Sequence, residues 1–331
     1  MNRSELAGSA VLITGSTGLI GKTLIKKLLD YNHNAKNPVT IIACARNPEK
    51  ARSVFGSDFS DIYWITGDIR EIKPKGISVD YIIHTASQTA SKAFVTHPVE
   101  TISVALDGTR NLLEFARTQN LKRFIYLSSM EVYGVFQTDE KINESYPSHL
   151  NTMDVRTCYP ESKRMCESLC ASYSSEYGIP FNVIRLTQTF GKGVEYQDTR
   201  VFAEFARCAI ENRDIILKTK GTTKRCYLDV DDAAEAIFTV MLNDCSGEVF
   251  NAANEETYCS IYEMACLVAE QICENKIHVQ IKEDGTNKSG FAPELHMNLD
   301  TTKLSRLGWQ AKTGLADMFK KLIDDMERNH K

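Results

Sequence analysis

The chain has no long apolar run. Its 331 residues are 43% hydrophobic, yet no uninterrupted apolar stretch approaches the ~20 residues that a bilayer-spanning helix needs. The start, MNRSELAGSAVLITG, lacks a signal-peptide core, because its short apolar run leads straight into glycine. A cytoplasmic chain with no membrane partner is the expectation. Charge of one sign is scarce too. With 39 basic and 43 acidic residues the formal net charge is only −4, which gives no electrostatic basis for gripping nucleic acid. Ten cysteines are scattered without a Cys-x-x-Cys pair. Such unpatterned thiols suit a reducing compartment and predict no metal site. Cys166 and Cys170, four apart, read as small apolar residues of one helix. Repeats, low-complexity runs and a separate linker are also missing. The length exceeds one small core and suits a large α/β domain with a second lobe.

What is present begins with AVLITGSTGLIGKTLIKKLL. Val11 to Thr14 form a short β-type run, and Leu24, Ile25, Leu28 and Leu29 recur at helical spacing. Gly15, Gly18 and Gly21 therefore sit on a strand-to-helix turn, with Ser16, Thr17, Leu19 and Ile20 between them. Gly15 permits the tight turn, Gly18 clears space for a pyrophosphate, and Gly21 lets helix and strand pack closely. The helix start offers unpaired N–H groups to phosphate. No Gly-Lys-Ser/Thr closes the loop, which excludes a P-loop.

Further apolar strands follow in VTIIACA, YWITGDI, DYIIHTAS, RFIYLSS and FNVIRLT, with helical stretches such as GTRNLLEFARTQN between most of them. This alternation predicts an α/β fold with a Rossmann-like, doubly wound parallel sheet. Ligands on such sheets bind beyond the carboxyl ends of the strands. At the end of the second strand Ala43 to Asn47 contain no carboxylate for a ribose 2′-hydroxyl, and Arg46 suits a 2′-phosphate. NADP is thus favoured slightly over NAD. Asp68 and Ile69 after the third strand are candidates for the adenine, and Thr85, Ala86 and Ser87 follow the fourth.

The ordered pieces TGSTGLIG, GDI, HTAS, GTRNLLEFA, SSMEVYG, YPESK, RCYLDVDDAAEAI, GEVFNAAN and LDTTKLSRLGW run almost end to end. Together they resemble the extended short-chain dehydrogenase/reductases, in particular the nucleotide-sugar epimerase/dehydratase branch with its UDP-glucuronate decarboxylase-like and dehydratase-like members. The resemblance implies that Tyr159 and Lys163 lie on one helix beside the nicotinamide. Tyr159 is then the acid/base, Lys163 lowers its pKa, and Ser129 holds the reacting oxygen. It also implies transient oxidation of a nucleotide-diphosphate sugar at C4. Dehydratases carry Asp-Glu after the catalytic hydroxyl, whereas this chain has Met130 and Glu131. The decarboxylases keep the Glu alone. Glu131 therefore implies decarboxylation or dehydration rather than simple 4-epimerisation, which is the first alternative. An NADPH-dependent carbonyl reductase and a non-catalytic dinucleotide-binding protein are the others.

Met130, Gln188, Arg200 and Arg225 are implied substrate contacts, the arginines for the diphosphate. The chain departs from the branch at Ala105 and Gln188, where asparagine is frequent. Residues 1–189 are expected to form the dinucleotide-binding domain with the catalytic groups, and 190–331 mainly the substrate lobe. A homodimer through helices near 100–117 and 159–176 is the branch's habit. Residues 135–157 form a long polar stretch expected to line the sugar pocket. The aspartates of Asp229-Val-Asp-Asp are read as helix caps.

Overall fold

The computed structural model describes residues 4–74, 76–283 and 294–330. The strands are β1 (Ala10–Thr14), β2 (Thr40–Ala45), β3 (Tyr63–Thr66), β4 (Tyr81–His84), β5 (Arg123–Ser129), β6 (Lys141–Ile142), β7 (Phe181–Leu186), β8 (Gln188–Phe190), β9 (Ile215–Leu217), β10 (Lys224–Asp229), β11 (Glu248–Ala252), β12 (Asn254–Ser260), β13 (Val279–Ile281) and β14 (His296–Leu299). The helices are α1 (Leu19–Asn32), α2 (Pro48–Phe55), α3 (Ser91–Thr96), α4 (Pro98–Ala116), α5 (Cys158–Tyr177), α6 (Val201–Ile210), α7 (Val230–Leu242), α8 (Ile261–Leu267), α9 (Thr302–Ser305) and α10 (Leu315–His330).

Seven strands form one parallel sheet in the order β11-β7-β5-β4-β1-β2-β3. The order reverses at β1, which pairs with both β2 and β4. That reversal opens a crevice at the carboxyl ends, as expected for a doubly wound sheet. Strand period dictates the layers. In β1, Val11 and Ile13 join the core shared with α1 and α7, while Leu12 faces the core beneath α4 and α5. Both faces are covered, which is why the strands read as continuous apolar runs.

The helix that contains GTRNLLEFA begins at Pro98. Proline at the first helical position loses no needed N–H there, and Glu100 in the first turn suits the helix dipole. Helix α5 ends at Gly178 in the left-handed conformation, φ 72°. Cys166 and Cys170 on this helix are fully buried in the core.

The second lobe pairs β12, β10, β14 and β6 in one sheet, with β8 alongside β10, and packs α6 and α10 over a separate apolar cluster with Phe190, Phe202, Phe205 and Phe319. The chain crosses the expected boundary at 189/190 in both directions. Strand β11 completes the large sheet beside β7. Helix α7 and Trp309 pack into the same core as β1. Conversely, β6 from the first half pairs with β14. Asp229 caps α7 through the Asp231 N–H at 2.9 Å, and Asp232 accepts from the backbone N–H groups of Lys312 and Thr313. Among the described residues no helix is long and apolar enough to cross a membrane.

Candidate active site

A cavity of about 620 Å³ lies at the carboxyl ends of β1, β2, β4, β5 and β7 and is closed on one side by residues of β8, β10 and the start of α6. Gly15, Thr17, Gly18, Leu19, Ile20, Gly21, Arg46, Asp68, Ile69, Thr85, Ala86 and Ser87 line one part of it. Gly15 has φ +63°, and a Cβ there would sit 2.6 Å from the Thr85 hydroxyl. A Cβ on Gly21 would lie 2.3 Å from the Gly15 carbonyl oxygen. Gly18 caps α1 without any side-chain hydrogen bond. The first N–H groups of the helix therefore face an open, glycine-walled cradle, which fits a dinucleotide's pyrophosphate.

Ser16 departs from expectation. It does not line the cavity: its side chain is buried and its hydroxyl donates back to the Ile13 carbonyl at 2.8 Å. The left-handed turn at Gly15 rotates this residue toward the strand. Asp68 lines the cavity but is already engaged. Both its oxygens accept from Arg70, at 2.8 Å each, and this pairing holds the carboxyl down to about 2. Arg46 is exposed and makes no ion pair with the described residues.

Ser129, Met130, Glu131, Tyr159 and Lys163 come together on the same cavity. Strand β5 ends at Ser129, which is the N-cap of a short turn and accepts from the Glu131 N–H at 3.2 Å. Tyr159 and Lys163 stand one turn apart near the start of α5. The Ser129 hydroxyl lies close enough to the Tyr159 hydroxyl to lower its pKa. Its ring stacks on Phe94 at 4.3 Å between centroids, with only 8° between the planes.

Several neighbouring groups act on this phenol. Burial pushes the Tyr159 hydroxyl up, and the Glu131 charge adds to the rise, while the nearby Ser129 hydroxyl and the charge of Arg156 lower it. Lys163 is turned toward β5. Its ammonium donates to the Leu127 carbonyl at 2.7 Å and stands 5.9 Å from the Tyr159 ring centroid. Burial depresses the Lys163 ammonium itself to about 8.

Met130 is buried, with its sulfur accepting from Thr187 at 3.4 Å, and gives the cavity an apolar patch. Arg225 on β10 donates to the Gln188 side chain on β8 at 3.0 Å, and its buried Nε has no partner among the described residues. An orphaned guanidinium nitrogen at a cavity wall is a ready donor to phosphate. Arg200 also lines the cavity, but Asp198 holds it in a two-pronged pair at 2.6–3.1 Å.

The polar stretch 135–157 contributes less than expected. Of its residues only Arg156 lines the cavity, while Lys141 and Ile142 are spent on β6. Arg156, unassigned from sequence, donates to Glu131 at 3.0 Å. Its one sequence signal is its place three residues before Tyr159 on the turn that opens α5. Glu100 and Lys50 also line the cavity and were likewise not anticipated.

With that geometry in view, the family model described as "NAD dependent epimerase/dehydratase family" matches residues 11–253. A UDP-glucuronic acid decarboxylase 6 from Arabidopsis thaliana is 30% identical, covering 82% of this chain and 76% of the relative. A UDP-glucuronic acid decarboxylase 1 from Danio rerio is 28% identical over 98% of this chain and 74% of its own length. A UDP-glucose 4-epimerase from Thermotoga maritima, solved with UDP-glucose, superposes with a TM-score of 0.81 at 19% identity, covering 97% of this chain and all of the other.

Proposed function

The chain belongs to the NAD-dependent epimerase/dehydratase family of nucleotide-sugar enzymes, and from that premise we propose that it converts a UDP-linked uronic acid by transient oxidation at C4 followed by loss of carbon dioxide. The observation that carries the reading is the single carboxylate beside the acid/base pair. Glu131 stands two residues after Ser129, and the position between them is a buried methionine. Met130 has no proton to give a leaving hydroxyl, which counts against removal of water. The names of the relatives support the same choice.

In this reading Ser129 and Tyr159 hold the C4 oxygen, and Tyr159 takes its proton. Bound NAD supplies the hydride acceptor and a positive ring charge that favours the phenolate. Lys163 holds the ribose hydroxyls and, in the presence of that ring, adds its charge to the field at Tyr159. Phe94 fixes the plane of the phenol. Met130 packs against the sugar. Arg225, with its free Nε, and Gln188 take the diphosphate, and Arg200 joins them once its pairing with Asp198 loosens. Residues 1–189 carry the cofactor and the catalytic groups, and 190–331 mainly hold the nucleotide sugar.

Arg46, unpaired among the described residues, favours NADP by its fit to a 2′-phosphate, and Asp68 meets the adenine while locked by Arg70. Val99 and Ile102 on α4 and Met165 on α5 are exposed apolar side chains, which supports a homodimer through these helices. The free, unpatterned cysteines support a cytosolic setting. The reading is tested by incubating the protein with a panel of nucleotide sugars and weighing the products. Loss of carbon dioxide from UDP-glucuronate supports it. Loss of water, an isomer of unchanged mass, or steady consumption of added NADPH each replaces it with another chemistry.

A further inference from the structure

Arg156 stands apart from the two arginines assigned to the diphosphate. The diphosphate candidates lie on β10 and before α6, whereas Arg156 lies at the reacting end, three residues before Tyr159. Its backbone is pinned by Asp154, which accepts from the Arg156 N–H at 3.0 Å. Its guanidinium lies 5.9 Å from the centroid of Phe94, the ring that stacks on Tyr159. One nitrogen, Nη1, is given to Glu131 at 3.0 Å. The remaining nitrogens, and the second oxygen of Glu131, make no other hydrogen bond with the described residues, and about a quarter of each side chain is exposed, 24% and 25%. Glu131 accounts for one of these nitrogens, and a neutral sugar ring offers no charge to the others. An anion on the sugar does.

Resting on the decarboxylase reading above, we propose that Arg156 is the subsite for the carboxylate of a uronic acid, and that it is shared in the complex between that carboxylate and Glu131. A planar fork with five donors can serve two carboxylates at once. One cation then faces two anions, and the surplus negative charge is confined in a partly dry cavity where water screens it little. That arrangement suits decarboxylation better than a simple ion pair would. An arginine devoted to the substrate would grip the carboxylate and oppose its departure. Here the crowding is relieved when carbon dioxide leaves. The C5–C6 bond breaks, its electron pair passes into the enolate of the C4 ketone, and the leaving molecule is uncharged. The enolate oxygen is then beside the Ser129 and Tyr159 hydroxyls, and a proton from water completes C5. Arg156 returns to Glu131 alone.

The test is equilibrium binding of UDP-glucuronate and UDP-glucose to the NAD-loaded protein, in a Tyr159→Phe background that prevents turnover. Melting curves check that each variant is folded. Arg156→Gln should weaken UDP-glucuronate by about tenfold or more, the loss of roughly one charge-assisted pair, while UDP-glucose changes by less than about twofold. Arg156→Lys should recover part of the loss, and Glu131→Gln should tighten UDP-glucuronate by removing the competitor. Equal loss for both sugars, or loss for neither, overturns the subsite. The underlying reading is judged separately, by carbon dioxide release from the unsubstituted enzyme. Release without Arg156-dependent discrimination refutes the subsite alone. Discrimination without release keeps a uronate subsite and refutes the decarboxylase.

Discussion

Replacing Lys163 with methionine should make the protein more stable and abolish its activity. The side chain is 4% exposed, and burial lowers its ammonium from 10.5 to about 8. At neutral pH the folded protein therefore carries a charge that its surroundings disfavour. A displacement of that size corresponds to ~3 kcal/mol. Methionine is of similar length and keeps the apolar stem, but it gives up the hydrogen bond to the Leu127 carbonyl, worth ~1 kcal/mol or somewhat more because the donor is charged. The net gain is ~1–2 kcal/mol, a rise of a few degrees in Tm at roughly 2 °C per kcal/mol for a chain of this size. The pH dependence gives the sign. Between pH 8 and 10.5 the folded lysine has lost its proton and the unfolded one has not, so the wild type regains stability as pH rises through that window. The variant lacks this recovery. Thermal unfolding of both cofactor-free proteins from neutral to alkaline pH, read as a difference, cancels the other tyrosines and lysines. A variant that is less stable than wild type at neutral pH, or a difference that stays flat with pH, would refute the reasoning.

The cofactor cradle and the acid/base pair make their own predictions. Gly21→Ala drives a Cβ to within 2.3 Å of the Gly15 backbone oxygen, so it should destabilise the fold by ~1–3 kcal/mol and weaken NAD binding in a fluorescence titration. Unchanged affinity would contradict the close helix–strand approach as the reason for that glycine. Arg46→Ala should weaken NADP by about tenfold and leave NAD nearly unaffected; equal effects on the two dinucleotides would remove Arg46 from the 2′-position. Tyr159→Phe should lower kcat by ~10²–10⁴ with cofactor affinity retained, because the ring still stacks on Phe94. A variant that keeps most of its turnover would show that the phenol is not the acid/base.

The parts of the site that sequence made legible are those whose chemistry is written locally. The glycine turn follows a strand and opens a helix within a dozen residues, and Tyr159 and Lys163 face the same side because they are one turn apart. The apolar runs of β1, β2, β4, β5 and β7 announced strands buried on both faces, and each was found within a residue or two of its observed ends, apart from overhangs into the polar tails at the carboxyl edge. Two local signals went unread. Asp68 is claimed by Arg70, and Arg200 by Asp198, each two residues away. In both cases an Asp-x-Arg spacing lets the side chains fold onto each other across a bend, so neither charge waits free for a ligand.

Other features depend on distant chain and had no local signal. Arg156 meets Glu131 across 25 residues, and Phe94 meets Tyr159 across a much longer stretch of chain, because helix packing brings α3 and the turn before α5 over the end of β5. Strand β11 enters the large sheet after more than sixty residues spent mainly in the second lobe, counting from Leu186 to Glu248. The polar stretch 135–157 was read as pocket lining from its length alone. Only Arg156 reaches the cavity, while Lys141 and Ile142 anchor the second lobe by pairing with Asn298 and Leu299.

The most direct measurement is the fate of UDP-glucuronate incubated with the purified protein and catalytic NAD, followed by mass analysis of the nucleotide sugar. The account predicts a UDP-pentose with carbon dioxide released, no net change in the cofactor, and no product from Tyr159→Phe. Unaltered UDP-glucuronate, or the same product formed as fast by the phenylalanine variant, would contradict it.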